Sequence, residues 1–217
     1  RVLRGSPAEL AGLKDGDVVL TVDDLSVSVP GDVVRRVAER GVGAKLRIVA
    51  EKSQTKKELV ATLVAHPGEL AVAKRHLVGA FAPAWRGVTR VKGDDFDPKS
   101  HKGKVVLLSF WASWCGACRE MVPVLAALDK ELGAEGLRVV GLTDESESLA
   151  LRAADKHGMT YRVGATTSPE TLGDYLVRAL PTLVLIDKAG KVRDVFFGSV
   201  PASELRKPLK LLLAEKV

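Results

Sequence analysis

Cys115 and Cys118 are the only cysteines in a chain of 217 residues, and they fall at the junction between two kinds of secondary structure. Ahead of them, Lys104-Val105-Val106-Leu107-Leu108-Ser109-Phe110 is an apolar, β-branched run that predicts a buried strand. Behind them, Arg119 to Leu132 carries Met121, Val122, Leu125 and Leu128 at helical spacing. A thiolate at such a strand-to-helix junction faces backbone N–H groups that the first helical turn leaves unpaired, together with the positive end of the helix dipole. Both lower a thiol's pKa and raise its nucleophilicity at neutral pH.

The spacing divides the labour. Cys115, at the helix mouth, is the expected attacking thiol. Cys118, one turn in, is close enough to resolve a mixed disulfide yet more shielded, and thiol–disulfide exchange needs one of each. Pro123 falls within the helical run, where it removes one backbone hydrogen bond and predicts a kink. Other uses of a cysteine pair remain open at this point. A structural zinc site needs about four ligands, and no further Cys or His stands at knuckle spacing. Covalent haem attachment wants a His after the second cysteine, where this chain has Arg119. A purely structural disulfide would close a strained, reducible ring across only two residues.

The run Phe110-Trp111-Ala112-Ser113-Trp114-Cys115-Gly116-Ala117-Cys118, with Pro123 five residues beyond it, resembles the thioredoxin superfamily. Within it, the chain is most similar to the TlpA-like membrane-tethered or periplasmic disulfide reductases, over about Leu77 to Val217. The resemblance implies that Trp111, Trp114, Gly116, Ala117 and Pro123 support a redox-active Cys115–Cys118 disulfide, with no other cofactor and no metal. It also implies that Leu180-Pro181, leading into a strand, carries a cis bond against the cysteine pair and exposes its backbone to an extended substrate. Two positions depart from the family. Ser109 stands where thioredoxins have an acid two residues before the motif's first Trp. Met121 stands where TlpA-like reductases often have Glu, with Glu120 one place off on another helix face. Asp144 and Glu145, after the next strand, are the remaining acids in line for a proton relay, although acids at such turns more often cap helices.

Around that motif the pattern alternates. Leu137–Leu142, Tyr161–Gly164, Thr182–Asp187 and Val192–Phe197 read as strands, the last two joined at Lys188-Ala189-Gly190. Glu147–Lys156, capped by Ser146, Pro169–Val177 and Ser203–Glu215 read as helices. This predicts an α/β thioredoxin fold, a central mixed sheet with helices on both faces. Leu77–Pro83 resembles the leading segment of TlpA-like domains before a first hairpin, and 92–104 reads as a charged loop. His66, His76, His101 and His157 all read as surface residues beside loops or helix ends.

Residues 1–67 carry a different pattern: a strand fragment at Val2-Leu3, a short helix started by Ser6 and Pro7, a strand at Val18–Val22, a helix at Asp32–Arg40 with Asp32 as N-cap, and strands at Lys45–Glu51 and Lys57–Val64. With Gly5-Ser6-Pro7-Ala8, Ala11-Gly12-Leu13 and Gly16-Asp17-Val18-Val19, this β-rich part resembles a PDZ domain of the bacterial HtrA-like kind. That family's carboxylate-binding loop and ligand-pairing strand precede the Gly-Ser-Pro-Ala turn, so the resemblance implies an N-terminally incomplete copy. Its ligand would be a peptide or C-terminal tail added as a strand beside the helix, with Val33 and Val37 at the groove floor. Residues 68–76 read as a linker with a helical connector at 69–76, and 77–217 as the redox domain.

Composition narrows the partners. The net charge of +6 is dispersed and aromatic residues are 5%, a pattern that excludes a nucleic-acid surface. No apolar run reaches the roughly 20 residues of a membrane span. The chain opens on Arg1, which leaves room for a signal or anchor upstream. The family implies a bacterial periplasm or cell envelope, protein thiols and disulfides as substrates, and an electron donor of unidentified kind. The alternative is an interaction or scaffold protein whose redox activity is incidental.

Overall fold

The computed structural model describes residues 1–94 and 101–216. The chain divides into two compact units, Arg1–His76 and Leu77–Val217. The first begins with α1 (Pro7–Leu10), β1 (Val18–Val22), β2 (Leu25–Ser26), α2 (Pro30–Arg40), β3 (Lys45–Lys52) and β4 (Thr55–Thr62), and α3 (Glu69–Leu77) runs to its boundary. Its antiparallel sheet has the order β2-β1-β3-β4. Asp23-Asp24 and Ser53-Gln54 both take positive φ, so each pair forms the tight turn that matches hairpin twist. Val22, Leu46, Ile48, Ala50, Ala61 and Leu63 form a core of their own.

Two local expectations change here. Val2-Leu3 is not a strand: the Val2 N–H bonds the Asp15 carboxylate, and the Arg4 N–H donates to His76 Nδ1 at 3.1 Å. Asp32 is not the N-cap of α2, which starts two residues earlier at Pro30 after Val29. Proline's φ suits the first helical position, and Asp32 instead reaches back to accept the N–H groups of Ser28 and Val29 at 2.9 and 3.1 Å. Ser6 does cap α1, and the Glu9 carboxylate returns to the Gly5 N–H.

The second unit contains β5 (Val88–Lys92), β6 (Val105–Phe110), α4 (Gly116–Leu132), β7 (Leu137–Thr143), α5 (Glu147–Lys156), β8 (Arg162–Thr166), α6 (Pro169–Asp174), β9 (Thr182–Ile186), β10 (Val192–Phe197) and α7 (Ala202–Ala214). Its six-stranded sheet has the order β10-β9-β6-β7-β8-β5. β6, β7 and β8 are parallel; β5, β9 and β10 run antiparallel to their neighbours. All of β6 is buried, as a central strand covered on both faces requires. Val105 and Leu107 face one core with Leu125 and Leu128 of α4 and Leu205 and Leu209 of α7. Phe110 points to the other face, where its ring lies 5.1 Å from that of Tyr175, just beyond α6. The fold is that of a thioredoxin-like domain, joined to a β-rich PDZ-like one.

The segment after Leu77 makes no hairpin of its own. Gly79 and Ala82 donate to Val192 and Gly190, which lays it beside the start of β10. The next strand, β5, pairs at the far edge of the sheet with β8. Of the loop expected over 92–104, residues 95–100 lie outside the described residues. His101 is buried rather than at the surface: its ring meets Trp85 edge-on at 5.5 Å, and a turn closed by the Lys104 N–H on the His101 carbonyl leads into β6 at Val105.

Candidate functional site

Cys115 is the N-cap of α4, with extended backbone at φ −78° and ψ 109°. Its Sγ accepts the Cys118 N–H at 3.1 Å, the bond that a capping side chain makes to the third residue of its helix. The two cysteines form a disulfide with their Cα atoms 5.2 Å apart. Both are nearly buried, and both belong to the core that β6 shares with α4. The Arg119 guanidinium extends back along this turn, and its Nη1 donates to the Ser113 carbonyl at 3.5 Å.

The two tryptophans of the motif part company. Trp111 is buried, and Trp114, beside Cys115, is 72% exposed. Trp111's indole lies against Gly141 in β7: a Cβ there would sit 3.0 Å from Trp111 Nε1. Any side chain there would force Trp111 to give by a few tenths of an ångström, so the close approach favours glycine, and a lone glycine within a strand run is the signal that could have flagged it. Tyr161 completes the wall, 3.4 Å from the same point. Burial, and then the charge of Asp129, push its phenol far above the ordinary range, so it is a neutral wall. Gly116 is exposed, Ala117 half-buried, and Pro123 lies inside α4 on its exposed side.

Leu180-Pro181 is cis. Thr182, the next residue, pairs with Phe110 across β9 and β6, so the proline sits at the same end of the sheet as the cysteine loop. Pro181 is buried, and Leu180 packs against the cluster that holds both cysteines. The Pro181 carbonyl accepts the Gly198 N–H at 2.8 Å, and among the described residues the N–H and C=O of Leu180 take no partner.

The acids resolve differently. Met121 is buried, with its Sδ accepting the Val200 N–H at 3.3 Å, so the inner face of α4 at this position carries sulfur and no carboxylate. Glu120 is exposed and meets the Ser199 hydroxyl at 3.4 Å. Asp144 is exposed. Glu145, two residues past the end of β7, turns toward the motif: it accepts the Ser113 N–H and the Ser113 hydroxyl, each at 2.7 Å. Ser113 and Glu145 are 32 residues apart, and nothing in their local sequence links them. Burial, then the charges of Lys156 and Arg119, hold the His157 imidazole below its usual range. Among the described residues, no group of three or more His, Cys, Asp or Glu is placed to hold a metal ion.

In the first unit, Val33 and Val37 of α2 face Val22, Leu46 and Ile48 across an apolar cleft of about 380 Å³, to which α3 contributes Val72.

Residues 77–209, more than half of the chain, match the redoxin family, and residues 1–52 match a PDZ domain. The chain belongs to the redoxin family. It is 30% identical over 146 residues to the thiol-disulfide oxidoreductase ResA of Bacillus thuringiensis, a match that covers 67% of this chain and 84% of that protein. It is 31% identical over 125 residues to the thioredoxin-like protein YneN of Bacillus subtilis, covering 56% and 72%. Among solved structures, the thiol:disulfide interchange protein DsbE from Chlorobium tepidum aligns with a TM-score of 0.56 at 28% identity, over 63% of this chain and 98% of that one. The chain is a thiol-disulfide oxidoreductase, and no helix among the described residues is long and apolar enough to cross a membrane.

Proposed function

We propose that this chain reduces protein disulfides through Cys115 and Cys118, with no cofactor beyond that pair. The observation that carries the reading is the place of Cys115 as N-cap of α4, its sulfur taking the Cys118 N–H. In the dithiol form that donor, and the helix dipole behind it, favour the thiolate. The Cys115 thiolate attacks one sulfur of a substrate disulfide, forming a mixed disulfide and releasing the other substrate sulfur as thiolate. Cys118, deprotonated, then attacks Cys115 Sγ. The second substrate thiolate leaves, and two electrons have passed from the pair to the substrate. A dithiol donor returns them by the same exchange in reverse. Met121 leaves no carboxylate on the inner face of α4 to take the Cys118 proton, so water or the departing substrate thiolate accepts it.

Trp114, exposed and next to Cys115 in the chain, and the unpartnered backbone of Leu180, which packs against the cluster holding both cysteines, suit an extended protein segment. The cleft beside α2 supports a recruiting role for the first unit, in which a partner's peptide or C-terminal tail packs against Val33 and Val37. The resemblance to the TlpA-like reductases supports work in a bacterial cell envelope. The deciding experiment is insulin-disulfide reduction combined with a measured potential. A value near that of thioredoxin, about −270 mV, is expected, and one near that of DsbA, about −120 mV, would make the protein an oxidant instead.

A further inference from the structure

Ser113 stands two residues before Cys115, and every polar group it has is engaged. Its N–H and its hydroxyl both donate to Glu145, to Oε2 and Oε1, at 2.7 Å each. Its carbonyl accepts Arg119 Nη1 at 3.5 Å. Glu145 is itself tied to the sheet. Its N–H donates to Thr143 Oγ1 at 3.3 Å, and that hydroxyl donates back to Oε2 at 3.4 Å. Thr143, the last residue of β7, is fully buried. Since β7 runs parallel to β6 with Phe110 opposite Leu142, the end of β7 lies alongside the residues that open the cysteine loop.

We propose that Glu145 is a positioning residue for thiol exchange, clamping Ser113 so that Cys115 Sγ stays at the mouth of α4. This rests on the reading of Cys115 as the attacking thiol. A carboxylate taking two short bonds from one residue sets both its place and its orientation. The loop is otherwise pinned at its ends, by the Trp111 N–H on Leu142 and by the Cys115 N–H on Ala112. Ser113 is the point between them that is tied to another element. With the clamp released, a Cys115 thiolate wanders from the Cys118 N–H that stabilises it, its pKa rises, and productive approach to a disulfide becomes rarer.

The sign of the effect separates this role from a purely electrostatic one. A negative charge near a thiol disfavours the thiolate, so loss of the Glu145 charge alone would lower the Cys115 pKa. Loss of the clamp raises it. Glu145→Gln removes the charge and keeps both bonds, because the amide oxygen can accept the Ser113 N–H and the amide nitrogen can donate to the Ser113 hydroxyl. Glu145→Ala removes both.

The test uses the full chain, reduced, with iodoacetamide labelling followed across pH and the labelled cysteine mapped by mass spectrometry, beside kcat/KM for insulin reduction. In Glu145→Ala the Cys115 labelling profile should move to higher pH by about one unit, and kcat/KM should fall about tenfold. Glu145→Gln should remain within about twofold of the parent. Ser113→Ala, which loses the hydroxyl bond alone, should fall between them, and it carries the test if circular dichroism shows Glu145→Ala unfolded. An unchanged or lowered labelling profile in Glu145→Ala or Ser113→Ala overturns the proposal, as does a Gln variant as impaired as the Ala variant. Label appearing first on Cys118 in the parent protein overturns the assignment of the attacking thiol beneath it, an outcome that the Glu145 variants cannot mimic.

Discussion

Cys115 and Cys118 differ by one helical turn, and that difference gives them different chemistry. Cys115 caps α4, whereas Cys118 lies inside it and lends its N–H to the other sulfur. Cys115→Ser should therefore abolish disulfide reduction, and Cys118→Ser should leave the attacking thiol in place and accumulate mixed disulfides, visible as substrate adducts on non-reducing gels. Adducts formed by Cys115→Ser instead would reverse the roles. A second residue-scale outcome concerns Gly141, where a Cβ would meet Trp111 Nε1 at 3.0 Å and Tyr161 at 3.4 Å. Gly141→Ala should destabilise the second unit by about 1–3 kcal/mol through overpacking, read from urea unfolding. The cysteine pair was legible because its place between a strand and a helix is written in local spacing, whereas the cis bond at Pro181 was implied only by the family resemblance. The clamp of Glu145 on Ser113 was not legible, since it depends on the parallel register of β6 and β7, which no local pattern encodes. His101 misled for a related reason: a polar residue beside a loop says nothing about a tryptophan folding over it from another segment.

Elements buried on both faces declared themselves, and those at edges did not. β6 and β9 are buried along their whole length and β7 at every residue but Arg138, so all three read as largely apolar runs. β5, Val88-Thr89-Arg90-Val91-Lys92, is a half-exposed edge strand with two cations in five residues, and it escaped notice; so did the two-residue β2. α4 was legible from its apolar face, which anchors the site to the sheet. Leu125 is almost wholly buried there, and Leu125→Ala should cost about 2–5 kcal/mol of stability, measurable by urea unfolding. In the first unit, the turn before β1 depends on Asp17, whose carboxylate accepts Lys57 Nζ at 2.5 Å and the Lys14 N–H at 2.7 Å. The bond from Lys57, then that from Lys14, holds its pKa below the ordinary value. A carboxyl with a depressed folded pKa contributes stability above its unfolded value, near 3.9, and loses it as pH falls through the folded value. Asp17→Asn should thus weaken the first unit at pH 7, and its difference from the parent should shrink as pH falls below the ordinary carboxylate range. Urea unfolding followed through the amide NMR signals of β3 and β4 reads this out.

The two units each enclose their own core, Val22, Leu46 and Ile48 in the first and Leu107, Leu125 and Leu205 in the second. Every described part of the proposed redox site comes from the second: the cysteines from the start of α4, Trp111 and Ser113 from the loop after β6, Gly141 and Glu145 from β7 and just beyond it, Leu180 and Pro181 from the lead into β9. Nothing in the exchange chemistry calls on α2 or its cleft. Residues 77–217 alone should therefore reduce a small disulfide, such as a chromogenic aryl disulfide, with kcat/KM within about twofold of the full chain, since the positioning of the reacting groups is intact. A protein substrate recruited through the first unit should behave differently. Its KM should rise when residues 1–76 are removed while kcat holds, because recruitment raises local concentration without touching the transition state. Val37→Glu in the full chain should reproduce that KM effect by placing a charge in the apolar cleft, with activity on the small disulfide unchanged. Comparing both substrates across the full chain, the 77–217 fragment and Val37→Glu separates recruitment from chemistry. Collapse of small-disulfide reduction in the folded fragment would mean that the first unit supplies part of the redox site, and the modular reading would fall.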